Sequence, residues 1–150
     1  MAHNKYACFV TLYLDGEIIA SSGRVHPTKD STLEELIDNI VIATEDSRFA
    51  GHVSNPELAR KLTYRIDLII PEYRRLVTNP DEIQLPHEGI IVLCQKQGKL
   101  AIILPGMTPD VKTGEDLYRH ALVKAEIDTK SLKRGDVLVY ALKTKVYQDS

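Results

Sequence analysis

Apolar residues fall in strand-length runs along most of this chain, and in two places their spacing lengthens to three and four. Tyr6–Leu14 is β-branched and aromatic, the composition of a buried strand. Asp15-Gly16 follows it. That pair tolerates the positive φ angles of a tight hairpin, so Glu17–Ser22 is predicted to return antiparallel. Ser31-Thr32-Leu33-Glu34 is a capping-box pattern, in which the Ser31 hydroxyl accepts from the Glu34 N–H and the Glu34 carboxylate reaches back. A helix is predicted from Thr32 to about Glu45, with Leu33, Leu36, Ile37, Ile40, Val41 and Thr44 as one stripe facing the core. Pro56 suits the first turn of a short second helix, with Leu58 and Leu62 on its buried side.

Leu62, Tyr64, Ile66, Leu68 and Ile70 then alternate with polar residues, which predicts a strand with one wet face that Pro71 stops. Tyr73–His87 carries Pro80 and Pro86 and reads as a connector with about one helical turn. Gly89–Gln95 and Lys99–Leu104 form a hairpin around Lys96-Gln97-Gly98, closed off by Pro105-Gly106. Thr113 with Asp116 marks another helix start, and Leu117, His120, Ala121, Lys124 and Ala125 run along that helix to near Ile127. Val137–Tyr147 is predicted as a final strand. Strands and helices do not alternate strictly, which argues against a doubly wound parallel fold. The expected fold is α+β: helices packed with a largely antiparallel or mixed sheet, in a single domain over residues 1–150. The proline-rich connector near 71–88 would divide that domain into two lobes.

Charge narrows the partners. Lys+Arg 19 against Asp+Glu 21 gives a net charge of −2 with no long basic run, which disfavours a nucleic-acid backbone binder. Cys8 and Cys94 each lie inside an apolar run and read as free, buried thiols, as a reducing cytoplasm allows. The N-terminus lacks the pattern of a secretory signal, and the apolar runs fall short of the ~20 residues that cross a bilayer. The expectation is a soluble cytoplasmic protein with no membrane contact.

Candidate chemistry is sparse. Neither common phosphate-cradling glycine loop is present, nor HExxH, nor CxxC. His3, His26, His52, His87 and His120 lack ligand spacing, so no metal and no cofactor are expected. Three polar groups remain. Ser21-Ser22-Gly23-Arg24 with His26 reads either as a strand end turning through Gly23 and Pro27, or as a ligand site. In the second case Gly23 admits an anion to the backbone and Arg24 supplies charge. Asp46-Ser47-Arg48-Phe49 reads as a helix exit, with a carboxylate locking the Arg48 fork and Phe49 in the core. His87-Glu88-Gly89 places a titratable histidine at a strand entrance.

In order, these pieces resemble the AMMECR-type domain family. The family's FVTL strand and glycine turn match Phe9-Val10-Thr11-Leu12 and Gly16. Its LRGCIG falls on Ile18–Gly23, followed by its proline at Pro27. D-x-R-F matches Asp46, Arg48 and Phe49, and E-L matches Glu57-Leu58. H-G corresponds loosely to His87-Glu88-Gly89, L-L-P to Ile103-Leu104-Pro105, and K-A-G-L to Lys124–Ile127. The likeness runs from about Tyr6 to Tyr147. It departs at the family's arginine and cysteine, where Ile19 and Ser21 stand, and at its motif glycine, here Ala20. The resemblance implies two unequal lobes with a cleft, and a function shared with a MEMO-like or radical SAM protein. Two functional readings follow. In the first, the chain is a ligand- or protein-binding module acting with such a partner, and Ser21, Ser22, Gly23, Arg24, Asp46 and Arg48 are its candidate binding residues. In the second it is a cleft enzyme in which Ser21 replaces the thiol and His26 or His87 acts as base.

Overall fold

The computed structural model describes residues 6–24, 26, 28–47, 49, 53 and 56–149. Its elements run in order β1 (Cys8–Leu14), β2 (Glu17–Gly23), α1 (Thr32–Thr44), α2 (Pro56–Arg60), β3 (Thr63–Ile69), β4 (Arg75–Val77), β5 (Gly89–Cys94), β6 (Lys99–Ile103), α3 (Gly114–Lys124), β7 (Leu138–Leu142) and β8 (Thr144–Gln148). They make an α+β protein with two four-stranded sheets, ordered β2-β1-β3-β8 and β4-β7-β5-β6. Neighbours β1–β2, β1–β3, β4–β7, β5–β6 and β5–β7 pair antiparallel. The chain divides into two compact units, residues 1–69 with 145–150 and residues 70–144. Among the described residues no helix is long and apolar enough to cross a membrane.

In the first unit the predicted hairpin forms at Asp15 and Gly16, whose φ angles of 52° and 82° are the left-handed pair that a two-residue turn requires. The β1–β2 register breaks once. Leu12 faces Ala20 and Tyr13 faces Ile18, which leaves Ile19 as an extra residue, a β-bulge. The bulge is why Ile19 and Ala20, though consecutive, are both buried. Ser31 caps α1 as expected, its Oγ accepting from the Glu34 N–H at 3.2 Å.

The face that α1 buries is not the expected one. Leu33, Ile37, Ile40, Val41 and Thr44 are exposed, and Glu35, Asn39 and Ala43 are the buried positions. β3 departs in the same way. Arg65 and Asp67 on its supposedly wet side are buried, while Tyr64 is exposed. They tolerate burial because the guanidinium grips the carboxylate with both ends, Nε to Oδ2 and Nη2 to Oδ1, each at 2.9 Å. Leu58 and Leu62 are only half-buried.

In the second unit the hydrophobic pattern and the structure agree. The register aligns Ile103, Ile90 and Ala141 in one row and Ala101, Val92 and Val139 in the next, and Leu117 and Ala121 of α3 join the same core. Each such buried aliphatic side chain of valine size or larger contributes about 1.5–3 kcal/mol. Thr113 caps α3, its hydroxyl accepting from the Asp116 N–H at 3.1 Å. The helix closes with Glu126 at φ 57° and the Ile127 N–H on the Leu122 carbonyl at 3.1 Å.

Two further expectations are corrected. The 73–87 connector contains β4, too short to show a period. The single strand predicted over Val137–Tyr147 is two strands in different sheets, parted at Lys143, whose carbonyl accepts from the Ile70 N–H at 3.2 Å.

Gly114 marks the closest approach of α3 to the chain before β5. A Cβ there would stand 1.9 Å from the Pro80 carbonyl oxygen, and the next N–H, of Glu115, donates to Asp81 Oδ1 at 3.1 Å. Gly114→Ala is therefore expected to destabilise by about 1–3 kcal/mol, the range for overpacking. Val123→Ala, at an exposed position on the same helix, should stay within about 0.5 kcal/mol. Urea unfolding of both variants checks this, and equal midpoints would remove the steric argument.

Candidate functional site

α1 lies on β1 and β2 through a polar seam instead of an apolar one. Glu35, Asn39 and Ala43 recur every four residues, so they share one helix face, and all three are fully buried. Glu35 Oε1 accepts from the N–H and the hydroxyl of Thr28, the latter at 3.1 Å, and from the Lys29 N–H at 2.6 Å. Its Oε2 faces Arg24 Nη1 at 3.3 Å and Asn39 Nδ2 at 3.5 Å. Asn39 accepts from Ser22 Oγ at 2.9 Å, and its Nδ2 also donates to the Glu35 carbonyl at 2.9 Å and to Cys8 Sγ at 3.7 Å. Arg24 completes the seam with a 2.6 Å contact from Nη2 to Asp38 Oδ2.

The electrostatics follow from those contacts. Burial pushes the Glu35 carboxyl toward protonation, but the Thr28 and Lys29 donors and the Arg24 charge outweigh it and hold the pKa below the ordinary carboxylate value. The bond to Asp38, with the charges of Asp38 and Glu35, raises Arg24 above its usual value against the opposing effect of burial. Burial drives the Cys8 thiol up to about 11, despite the Asn39 hydrogen bond. At neutral pH the seam is a fixed carboxylate–guanidinium cluster beside a protonated thiol.

The residues singled out in the sequence fall in different places. Ser22 and Arg24 are in the seam. Ser21, the neighbour of Ser22 on β2, is exposed on the opposite sheet face, in the cross-strand row that runs through Thr11 to Arg65. Gly23 lies beneath the Phe9 ring, which a Cβ would meet at 2.2 Å. His26 is exposed, and Asp46 is half-buried at the end of α1. Arg48 lies outside the described residues. His87 is exposed in the second unit, ahead of β5. Sequence reasoning missed Glu35 and Asn39. Their four-residue spacing is the one signal that could have found them, and the apolar stripe beside it masked that signal.

That apolar stripe is the other half of the site. With the polar face inward, α1 presents Leu33, Ile37, Ile40 and Val41 outward at 64%, 53%, 41% and 52% exposure. Asp30, Glu34 and Glu45 are exposed around it, and the last turn of the helix holds no basic residue. Large contiguous apolar faces are uncommon on monomeric proteins.

A family model described as AMMECR1 matches residues 1–147. The chain belongs to the AMMECR1 family. Among solved structures it is similar to an uncharacterized protein from Pyrococcus horikoshii, with a TM-score of 0.67 and 18% identity over 99% of this chain and 76% of that one. At that identity the likeness concerns the fold. No curated protein matches the chain. In this AMMECR1 domain, the stretch that resembles LRGCIG is β2 itself. Ile19 is its bulge, Ala20 is buried, and Ser21 points to the other side of the sheet from Ser22.

Glu35 also sets a pH dependence. Its folded pKa is depressed, so its contribution is complete above the unfolded value of about 4.3 and is lost as the pH falls through the folded value. Wild-type stability should therefore drop more steeply between about pH 5 and pH 3 than that of Glu35→Gln. Glu35→Ala should lose about 1–3 kcal/mol at neutral pH, because it leaves the Thr28 and Lys29 donors without their acceptor and Arg24 with Asp38 alone. Urea melts across this range measure both effects. Parallel pH profiles for wild type and Glu35→Gln would show that the seam carboxylate is not held ionised.

Proposed function

We propose that this AMMECR1-family chain is a protein-binding module that docks its partner on the outer face of α1. The observation that carries the reading is the inverted helix, which buries Glu35 and Asn39 and leaves Leu33, Ile37, Ile40 and Val41 to solvent. The acidic border of Asp30, Glu34 and Glu45 specifies the partner's chemistry as an apolar face with a basic rim. Likeness to the family nominates a MEMO-like or radical SAM protein as that partner. Free, buried Cys8 and Cys94 suit work in a reducing compartment. The exposure of Ser21 favours the alternative, a cleft enzyme with a histidine base.

The double variant Ile37→Lys/Val41→Lys tests the docking face. Lysine is a good helix former and both sites are exposed, so its melting curve should stay within about 0.5 kcal/mol of wild type. Affinity for the MEMO-like or radical SAM protein of the same organism, measured by calorimetry, should fall at least tenfold. Binding of neither protein, unchanged binding by the folded variant, or self-association of the chain through this face would each overturn the reading. Ser21→Ala should leave the affinity unaltered. A loss there would move the site to the other sheet face.

A further inference from the structure

We propose that the second unit holds a binding site for a small aliphatic diamine, anchored by Glu88. This residue stands just ahead of β5 with its side chain fully buried. Its Oε1 is held by Arg75 Nη2 and by the Gln84 N–H, each at 2.8 Å. Its Oε2 is buried too and has no hydrogen-bond partner among the described residues. An unsatisfied buried acceptor costs about 1–3 kcal/mol, and more when charged. The fold fixes one oxygen with two donors and leaves the other open to a donor from outside.

Glu88 lines a recess of about 40 Å³, together with Leu85, Leu104, Thr108, Val111 and Leu117. One water takes about 10–15 Å³ of such space, so the recess accommodates an ammonium head and one or two methylenes. Thr108, Pro109 and Val111 also border a second, open recess of about 300 Å³, whose remaining lining includes the Asp110 and Asp116 carboxylates and the His120 imidazole. Lys112 Nζ already donates to the Pro109 carbonyl at 3.1 Å, so this rim holds an ammonium group of its own.

Read outward, the chemistry is a buried carboxylate oxygen, an apolar collar and a mouth with two further carboxylates. Two ammonium groups joined by a short methylene chain match that order. One donates to Glu88 Oε2, the methylenes lie on Leu104 and Val111, and the second ammonium faces Asp110 and Asp116. The acidic mouth raises the local concentration of cations and favours the doubly charged ligand over a monoamine. A metal ion fits less well: among the described residues no group of three or more His, Cys, Asp or Glu is placed to hold one.

Calorimetric titration of the full chain with 1,4-diaminobutane, with butylamine and sodium chloride at matched ionic strength as references, tests the site. The diamine should bind saturably and the monoamine about tenfold more weakly. Glu88→Gln should weaken diamine binding at least tenfold, and Asp110→Asn/Asp116→Asn should reduce it to the monoamine level. Because Glu88→Gln also disturbs Arg75, Val111→Phe serves as a second probe, filling the inner recess from a half-buried position. It should abolish binding while melting cooperatively. The proposal is overturned by no saturable heat from either amine, by full diamine binding in folded Val111→Phe, or by binding indifferent to all three carboxylates. Ile37→Lys/Val41→Lys should bind the diamine normally, so failure of the partner reading and failure of this one are told apart.

Discussion

The buried carboxylate of Glu35 is the constraint from which the first unit follows. An ionised carboxyl with no exposure survives only if its lone pairs are filled. Here they are filled by the Thr28 and Lys29 amides, the Thr28 hydroxyl, Arg24 and Asn39. Those donors come from the segment that follows β2 and from α1 itself. One side chain thereby fixes the loop's path, the rotation of the helix about its axis and the direction of Arg24. The rotation has the larger consequence. A helix that must point Glu35 and Asn39 at the sheet cannot also bury Leu33, Ile37 and Val41, because the two stripes lie on opposite sides. Solvent exposure of four large apolar side chains is unfavourable in the isolated chain, and local features that oppose stability concentrate where a protein functions.

The parts of this structure that were legible in the sequence depend on short-range chemistry. Asp15-Gly16, the Ser31 and Thr113 caps and the Gly89–Ile103 hairpin are local choices, and each was placed within a residue or two. The parts that were not legible depend on which of two periodic stripes a sheet accepts. α1 carries apolar residues at 33, 37, 40 and 41 and a polar-to-small series at 35, 39 and 43. Periodicity ranks these by hydrophobicity, and the sheet selected by hydrogen bonding. β3 repeats the lesson, since Arg65 and Asp67 are two residues apart and satisfy each other, a pairing invisible to a rule that treats charge as wet. The switch of sheets at Lys143 escaped for a different reason. A one-residue break does not interrupt an alternating pattern. For the candidate site, Ser22 and Arg24 were recognisable as polar groups worth noting, but their partners sit 17 and 11 residues away and nothing in the spacing connects them.

The thiol chemistry available to the chain bears on how the Ser21 position is read. If Ser21 stands against a family cysteine, as the resemblance sets it, another thiol nearby could offset it, and Cys8 is on the adjacent strand. It does not fill that role. Cys8 is fully buried on the α1 side of the sheet, its pKa is pushed up to about 11, and its sulfur contacts the Asn39 amide. Nucleophilic thiols are partly exposed and have depressed pKa values. Cys8 is the opposite in both respects, and Cys94 is likewise buried within the second unit's core. Activating Ser21 instead demands a base within hydrogen-bond reach, since a hydroxyl starts from a far higher pKa than a thiol. What β2 contributes to the fold is its shape: a bulge that buries Ile19 and Ala20 together, and a strand end whose Ser22 and Arg24 orient α1. Those features turn the apolar side of α1 to solvent, which is why the proposed binding reading needs no chemistry from the motif and the catalytic reading needs an activated hydroxyl.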